Sequence, residues 1–189
     1  MIKGSSKSEK SAGSLKYLSA SDIKRRLGEK MLKKDVIQLA RLVGPEGKKL
    51  LRLSLIDPPE SANRASWTFR EWSKQNKHQI SFLVHDILKV VLNTGNPSVI
   101  RNLSGVWVDH GYPPESDGMI VDFAFRQLAK YGQPVAVYAN MLGILKPALK
   151  RHPEMIQEFK LIIHEHQYAE SPWFKSRIKE LLTGCPVKG

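Results

Sequence analysis

Cysteine is nearly absent from this 189-residue chain: Cys185, in the closing stretch TGCPVKG, is the only one. A single cysteine excludes an internal disulfide framework and any cysteine-based metal site, which is the usage of a reducing compartment. Long apolar runs are missing too. None approaches the ~18 residues that a membrane span needs, so no membrane partner is expected. The opening MIKGSSKSEKSAGSLKYL carries positive charge without the apolar stretch of a secretory signal. These absences together predict a cytoplasmic protein.

Chemistry-bearing patterns are equally scarce. GPEGKK (44–49) lacks the GxxxxGK[ST] spacing of a phosphate loop. His164 and His166 stand two apart on a predicted helix and so point about 200° from one another, whereas shared metal ligation needs a spacing of three or four. His166 continues an apolar stripe and reads as a core histidine, with His85 and His110 also near packed faces. Asp86, Asp109, Asp117 and Asp122 have no nucleophile or second carboxylate at a meaningful spacing. No catalytic residue, metal ligand or cofactor is assigned, and a non-enzymatic protein is expected. Strand-like alternation is nowhere sustained.

What is present is helical periodicity that repeats. Ile80, Leu83, Val84, Ile87, Leu88 and Val91 form an amphipathic stripe, as do Ile120, Phe123, Ala124 and Leu128, and Met155, Phe159, Ile162, Ile163 and His166. Breakers such as NTGNP, GYPPESDG, YGQP, RHP and AESP separate helices of about 11 to 17 residues. Upstream, SASD offers N-caps for one helix, Gly44 stops a second, and PEGKKLLRLSLIDPP frames a third carrying Leu50, Leu51, Leu53 and Leu55. NPSVIRNLSGVW, QPVAVYANMLGIL and SPWFKSRIKELL share a proline followed by an apolar helix. Their marker prolines Pro97, Pro134 and Pro172 are 37 and 38 residues apart. Two helices per ~37 residues is the plan of an all-α superhelix, in which stacked hairpins share one core. Gly105 and Gly143 fit the register if neighbouring helices approach closely there; the competing reading is chance placement among 13 glycines. Residues 1–18 read as a basic disordered tail, 19–183 as one helical-repeat domain and 184–189 as a C-terminal tail.

The net charge of +12 is uneven. Residues 1–52 hold 14 Lys/Arg against 5 Asp/Glu; residues 53–189 hold 16 against 13. A basic surface attracts phosphate backbones without sequence preference, while the plain alternative is a solvated helix face. Lys24, Arg25, Arg26, Lys33 and Lys34 are the basic candidates. Trp72 and Trp107 extend apolar stripes and belong to the core. Trp67 and Trp173 fall on charged faces beside Arg64 and Arg177, where an aromatic can stack on a base or be covered by the neighbouring repeat.

The blocks NRASWTFREW, NPSVIRNLSGVW, PVAVYANMLGIL and SPWFKSRIKELL, in that order over residues 34–183, resemble a group of short HEAT-like helical-repeat proteins. Some members carry the label adenylosuccinate lyase, but the Ser-rich mobile-loop motif of that enzyme family is absent and the chain is less than half its expected size. More distantly the chain resembles HEAT-repeat DNA glycosylases of alkylation repair, whose catalytic carboxylate does not map onto it. The resemblance implies stacked helical pairs with a basic concave face. Three readings stay open: a binding module contacting nucleic acid, a glycosylase-like enzyme acting on alkylated DNA, and a protein–protein scaffold without nucleic-acid affinity. Oligomeric state is not assigned. The Ile80–Val91 stripe generates a test of the core: Ile87→Ala should lower stability by about 2–5 kcal/mol through lost burial and a cavity. A urea midpoint equal to wild type would remove this stripe from the core.

Overall fold

Proline and serine set most of the helix starts. Proline is tolerated at the first position of a helix because its missing N–H would be unpaired there anyway, and Pro59, Pro97 and Pro172 each occupy that position. Pro134 sits one residue earlier, as the residue before the helix. The computed structural model describes residues 17–56 and 58–183. They form α1 (Ala20–Gly28), α2 (Lys33–Leu42), α3 (Lys48–Leu53), α4 (Pro59–Gln75), α5 (Lys77–Asn93), α6 (Pro97–His110), α7 (Asp117–Ala129), α8 (Val135–Arg151), α9 (Ile156–His164) and α10 (Pro172–Leu182). Short 3-10 turns at Pro114–Ser116 and Pro153–Met155 lead into α7 and α9. No strand occurs among the described residues, and no helix there is long and apolar enough to cross a membrane. Ser19 caps α1 by accepting from the Asp22 N–H at 3.2 Å, and Ser171 caps α10 by accepting from the Phe174 N–H at 3.2 Å.

The helices pack in two layers. α2, α4, α6, α8 and α10 lie side by side, each against the next, while α3, α5 and α7 pack against α4, α6 and α8 respectively. Equivalent core positions recur 38 residues apart: Ala62, Ile100 and Tyr138; Ala65, Leu103 and Met141; Phe69, Trp107 and Leu145, none more than 4% exposed. Pro59, 38 residues before Pro97, is therefore a fourth member of the proline series. The expected stripes are core: Ile80, Val84, Ile87, Leu88 and Val91 are buried, as are Ile120, Phe123, Ala124 and Leu128. Trp72 and Trp107 are each 1% exposed. The outer surface of α10 is polar, with Lys175, Ser176, Arg177, Lys179 and Glu180 exposed.

Several expectations need correction. Helices α1, α2, α3 and α9 are shorter than the anticipated range, at 9, 10, 6 and 9 residues. Leu55 lies beyond α3 and is 48% exposed, because the chain leaves the helix at Ser54, whose hydroxyl turns back to the Leu50 carbonyl. His166 is buried but lies past the end of α9, where its Nδ1 accepts from the Tyr168 N–H at 3.1 Å. It stacks on Phe174 at 4.4 Å between ring centroids, and burial pulls its pKa below the ordinary histidine value. His85 is exposed because it lies on the outer face of α5, between Val84 and Asp86 but away from the core stripe. Of the anticipated N-terminal tail, residues 1–16 lie outside the described residues, but Tyr17 lies over Gly44 and the Leu18 N–H donates to the Leu42 carbonyl at 3.0 Å. Residues 184–189, with Cys185, lie outside the described residues as well.

One polar knot ties α7 to the end of α8. Asp117, 5% exposed at the start of α7, accepts two hydrogen bonds from the Arg151 guanidinium and sits 3.0 Å from His152 Nε2. Arg151 also lies over the Tyr112 ring at 5.7 Å, and the Tyr112 hydroxyl donates to the Ile144 carbonyl at 3.0 Å. Burial pushes the Tyr112 pKa up to about 12. Hydrogen bonding from Arg151, then from His152, holds the Asp117 carboxyl below the usual carboxylate range despite its burial. A carboxylate whose pKa falls on folding stabilises the fold above its unfolded-state pKa of about 4, and that contribution is lost as pH falls through the lower folded value. Asp117→Asn should therefore lower stability by about 1–3 kcal/mol at pH 7, and the gap to wild type should close in acid. Urea midpoints of both proteins at pH 7 and pH 3 test this; a gap of the same size at both values would contradict it.

Candidate nucleic-acid interface

Two asparagines fix how the first-layer helices sit on one another. Asn102 Nδ2 on α6 donates to Asn63 Oδ1 at 3.1 Å and reaches Ser66 Oγ at 3.0 Å on α4. Asn140 Nδ2 on α8, 38 residues later, repeats the arrangement with the Arg101 carbonyl at 2.7 Å and Ser104 Oγ at 3.0 Å on α6. One turn further along, side chains of the preceding helix fold over glycines of the next. The Arg70 guanidinium covers Gly105 and pairs with Asp109 at 2.9 and 3.1 Å, and Val108 covers Gly143. The glycines make room for a neighbour's side chain rather than for its backbone. Lys146 and Glu180 form the third step of this series at 2.7 Å.

This geometry resolves where the charge lies. The four helices α4, α6, α8 and α10 contain ten Lys/Arg against four Asp/Glu, a net of +6, whereas α5, α7 and α9 contain four of each. Three of the acids on the first layer are engaged by bases: Glu71 by Lys74 at 2.7 Å, Asp109 by Arg70, and Glu180 by both Lys146 and Arg177. The N-terminal unit α1–α3 adds nine Lys/Arg against two Asp/Glu. Lys24, Arg25, Lys33 and Lys34 are exposed there and Arg26 is half-buried; Arg25 pairs with Glu29 at 3.3 Å.

The two aromatic–arginine pairs are not equivalent. Trp173 is half-buried against the core, and Arg177 is engaged by Glu180 at 3.1 Å. These two residues line a groove of about 280 Å³ only in part: Arg177 and Glu180 contribute to it with Val108, Asn140, Gly143 and Lys146, and Trp173 does not. Among the described residues the Arg64 guanidinium has no carboxylate or other acceptor, and its buried Nη1 is without a partner. Trp67, one turn further along α4, stands at the register position that Gly105 and Gly143 fill in α6 and α8, and it is half-buried. Arg101 was not anticipated. It is half-buried on α6, and its guanidinium reaches only the neighbouring Asn102 Oδ1, at 3.3 and 3.4 Å. The recurrence of asparagine at 102 and 140 was the available signal for this seam. His110 Nε2 lies 2.9 Å from Ser73 Oγ at the edge of the face, and burial lowers its pKa. Among the described residues no group of three His, Cys, Asp or Glu side chains is placed to hold a metal ion.

Comparison with protein-family models, curated proteins and solved structures gives no match. The candidate face therefore stands on its own geometry. Its glycine steps differ in a measurable way. A Cβ at Gly143 would meet Val108 Cγ2 at 3.1 Å, and Val108 is 42% exposed and free to give, so Gly143→Ala should raise stability by up to about 1 kcal/mol through helix propensity. Gly105→Ala would displace the Arg70 guanidinium from Asp109 and should gain less. Thermal or urea unfolding of the two variants checks the order, and a destabilised Gly143→Ala would contradict it.

Proposed function

We propose that this protein is a non-enzymatic binding module of HEAT-like stacked hairpins that contacts nucleic acid through the face formed by α4, α6, α8 and α10, extended by the basic helices α1 and α2. The observation that supports this reading is a charge division between helices: α4, α6, α8 and α10 carry a net of +6, while α5, α7 and α9 carry no net charge. Chance scatter of lysines would charge both layers. Phosphate contacts of this kind supply affinity without sequence preference and release counterions on binding.

Binding is favoured over a glycosylase-like activity because Glu71, Asp109 and Glu180 on this face are each held by a basic side chain, which leaves them poorly placed to act on a substrate. The resemblance to HEAT-like proteins supports the architecture. A protein–protein scaffold has the same fold and differs in having no salt-dependent affinity for oligonucleotides.

Fluorescence anisotropy with single- and double-stranded oligonucleotides over a range of salt concentrations tests the proposal. Each neutralised phosphate contributes roughly 0.7–0.9 to the slope of log affinity against log salt. Lys150→Gln with Lys179→Gln, on the first layer, should reduce that slope, as should replacing Lys24, Arg25, Arg26, Lys33 and Lys34 with alanine. Lys89→Gln with Lys160→Gln, on the second layer, should leave it unchanged. No binding at low salt and micromolar protein would make a protein partner the leading reading.

A further inference from the structure

Helix α4 departs from the repeat at two neighbouring positions, and both departures carry chemistry. The 38-residue register places Arg64 where α6 has Asn102 and α8 has Asn140. Each asparagine donates backward to acceptors on the preceding first-layer helix. By that register Arg64 lies on the face of α4 that packs against α1 and α2, the face from which Ser61, one turn before it, donates to the Leu27 carbonyl at the end of α1 at 3.2 Å. Arg64 meets no acceptor there. The acids of α1 and α2 are occupied elsewhere, Asp22 by Ser19, Glu29 by Arg25, and Asp35 by the Leu32 N–H at 2.8 Å. The second departure is Trp67, three residues on from Arg64, which fills the place of a repeat glycine and is half-buried. An arginine with one nitrogen sunk from water and no anion is costly to maintain, since burying a charge without a partner is paid in desolvation. At Arg70 and Arg151 the same fold supplies a carboxylate to the half-exposed guanidinium.

We propose that the seam between α4 and the α1/α2 pair is a phosphate-binding site, in which the Arg64 guanidinium takes a phosphate group and Trp67 stacks the base attached to it. The proposal rests on the nucleic-acid reading above and narrows it to single-stranded nucleic acid, because a base inside a duplex has no free face to offer a tryptophan. Guanidinium is suited to this role: its planar fork matches two phosphate oxygens, and it stays charged at any physiological pH. Lys33 and Lys34, exposed at the start of α2, add positive charge to the helix that α4 packs against.

The test uses the full chain, a fluorescein-labelled oligothymidylate and, separately, adenosine monophosphate. Arg64→Gln should weaken oligothymidylate binding at least about tenfold and lower the salt slope by about 0.7, with the melting temperature unchanged or raised because an unpaired charge is gone. Arg64→Lys, which keeps the charge without the fork, should recover the salt slope but only part of the affinity. Trp67→Ala should weaken binding by about five- to 150-fold at constant slope. A strand as the source of the phosphate predicts that adenosine monophosphate competes only at far higher concentration than the oligonucleotide; a free nucleotide as the source predicts the reverse order, and would overturn the single-strand assignment. A lower melting temperature for Arg64→Gln would assign the guanidinium a structural role and overturn the site. If Lys150→Gln with Lys179→Gln weakens binding and Arg64→Gln does not, the seam site is wrong while the basic face stands. If wild type binds nothing, both readings fall together.

Discussion

The contact on which the rest of the structure depends is that of one first-layer helix against the next. A single helical hairpin cannot bury its apolar face alone, so each must find a neighbour, and here the neighbour is fixed by polar ties as well as by apolar area. Asn102 and Asn140 bridge α4 to α6 and α6 to α8 through hydrogen bonds that only one register satisfies. A slip by one residue would leave their amide groups unpaired inside a seam, where an unmet hydrogen bond costs about 1–3 kcal/mol. Apolar packing sets how strongly the helices associate; the asparagines set which residues face one another.

That register has consequences for charge. With α4, α6, α8 and α10 in a row, side chains at corresponding positions form columns across the face, and the columns pair with their neighbours: Arg70 with Asp109, Lys146 with Glu180. Three of the four acids on α4, α6, α8 and α10 are paired with bases, and the surplus of bases remains. Helices α5, α7 and α9 have no surplus to present.

The places where the repeat is broken are informative for the same reason. Within a ladder, each position has a partner one repeat away, and a side chain that lacks it stands out. Arg64 and Trp67 lie at the junction of the repeated hairpins with α1–α3, where the helices are shorter and the periodic acceptors end. The Asp117 knot, by contrast, is internally complete: carboxylate, guanidinium and imidazole satisfy one another, and it serves to tie α7 to the end of α8.

Much of the architecture was determined by local sequence. The helix starts followed from Pro97, Pro134 and Pro172, and the core stripes of α5 and α7 from spacing alone, because a 3.6-residue period needs no knowledge of the neighbour it packs against. The burial of Trp72 and Trp107 followed in the same way. Helix ends were harder to read: α3 and α9 stop early because side chains such as Ser54 and His166 bond to the backbone around the turn, which periodicity does not register. For the candidate site, the sequence supplied Arg64, Trp67, Trp173 and Arg177 as residues of a suitable kind but ranked the two pairs equally. The structure separated them: Arg177 is engaged by Glu180, three residues along the same helix, whereas the buried Nη1 of Arg64 has no partner among the described residues. The same holds for the charge as a whole, since a sequence sums its lysines along the chain while the packing of helices decides which side of the molecule they occupy.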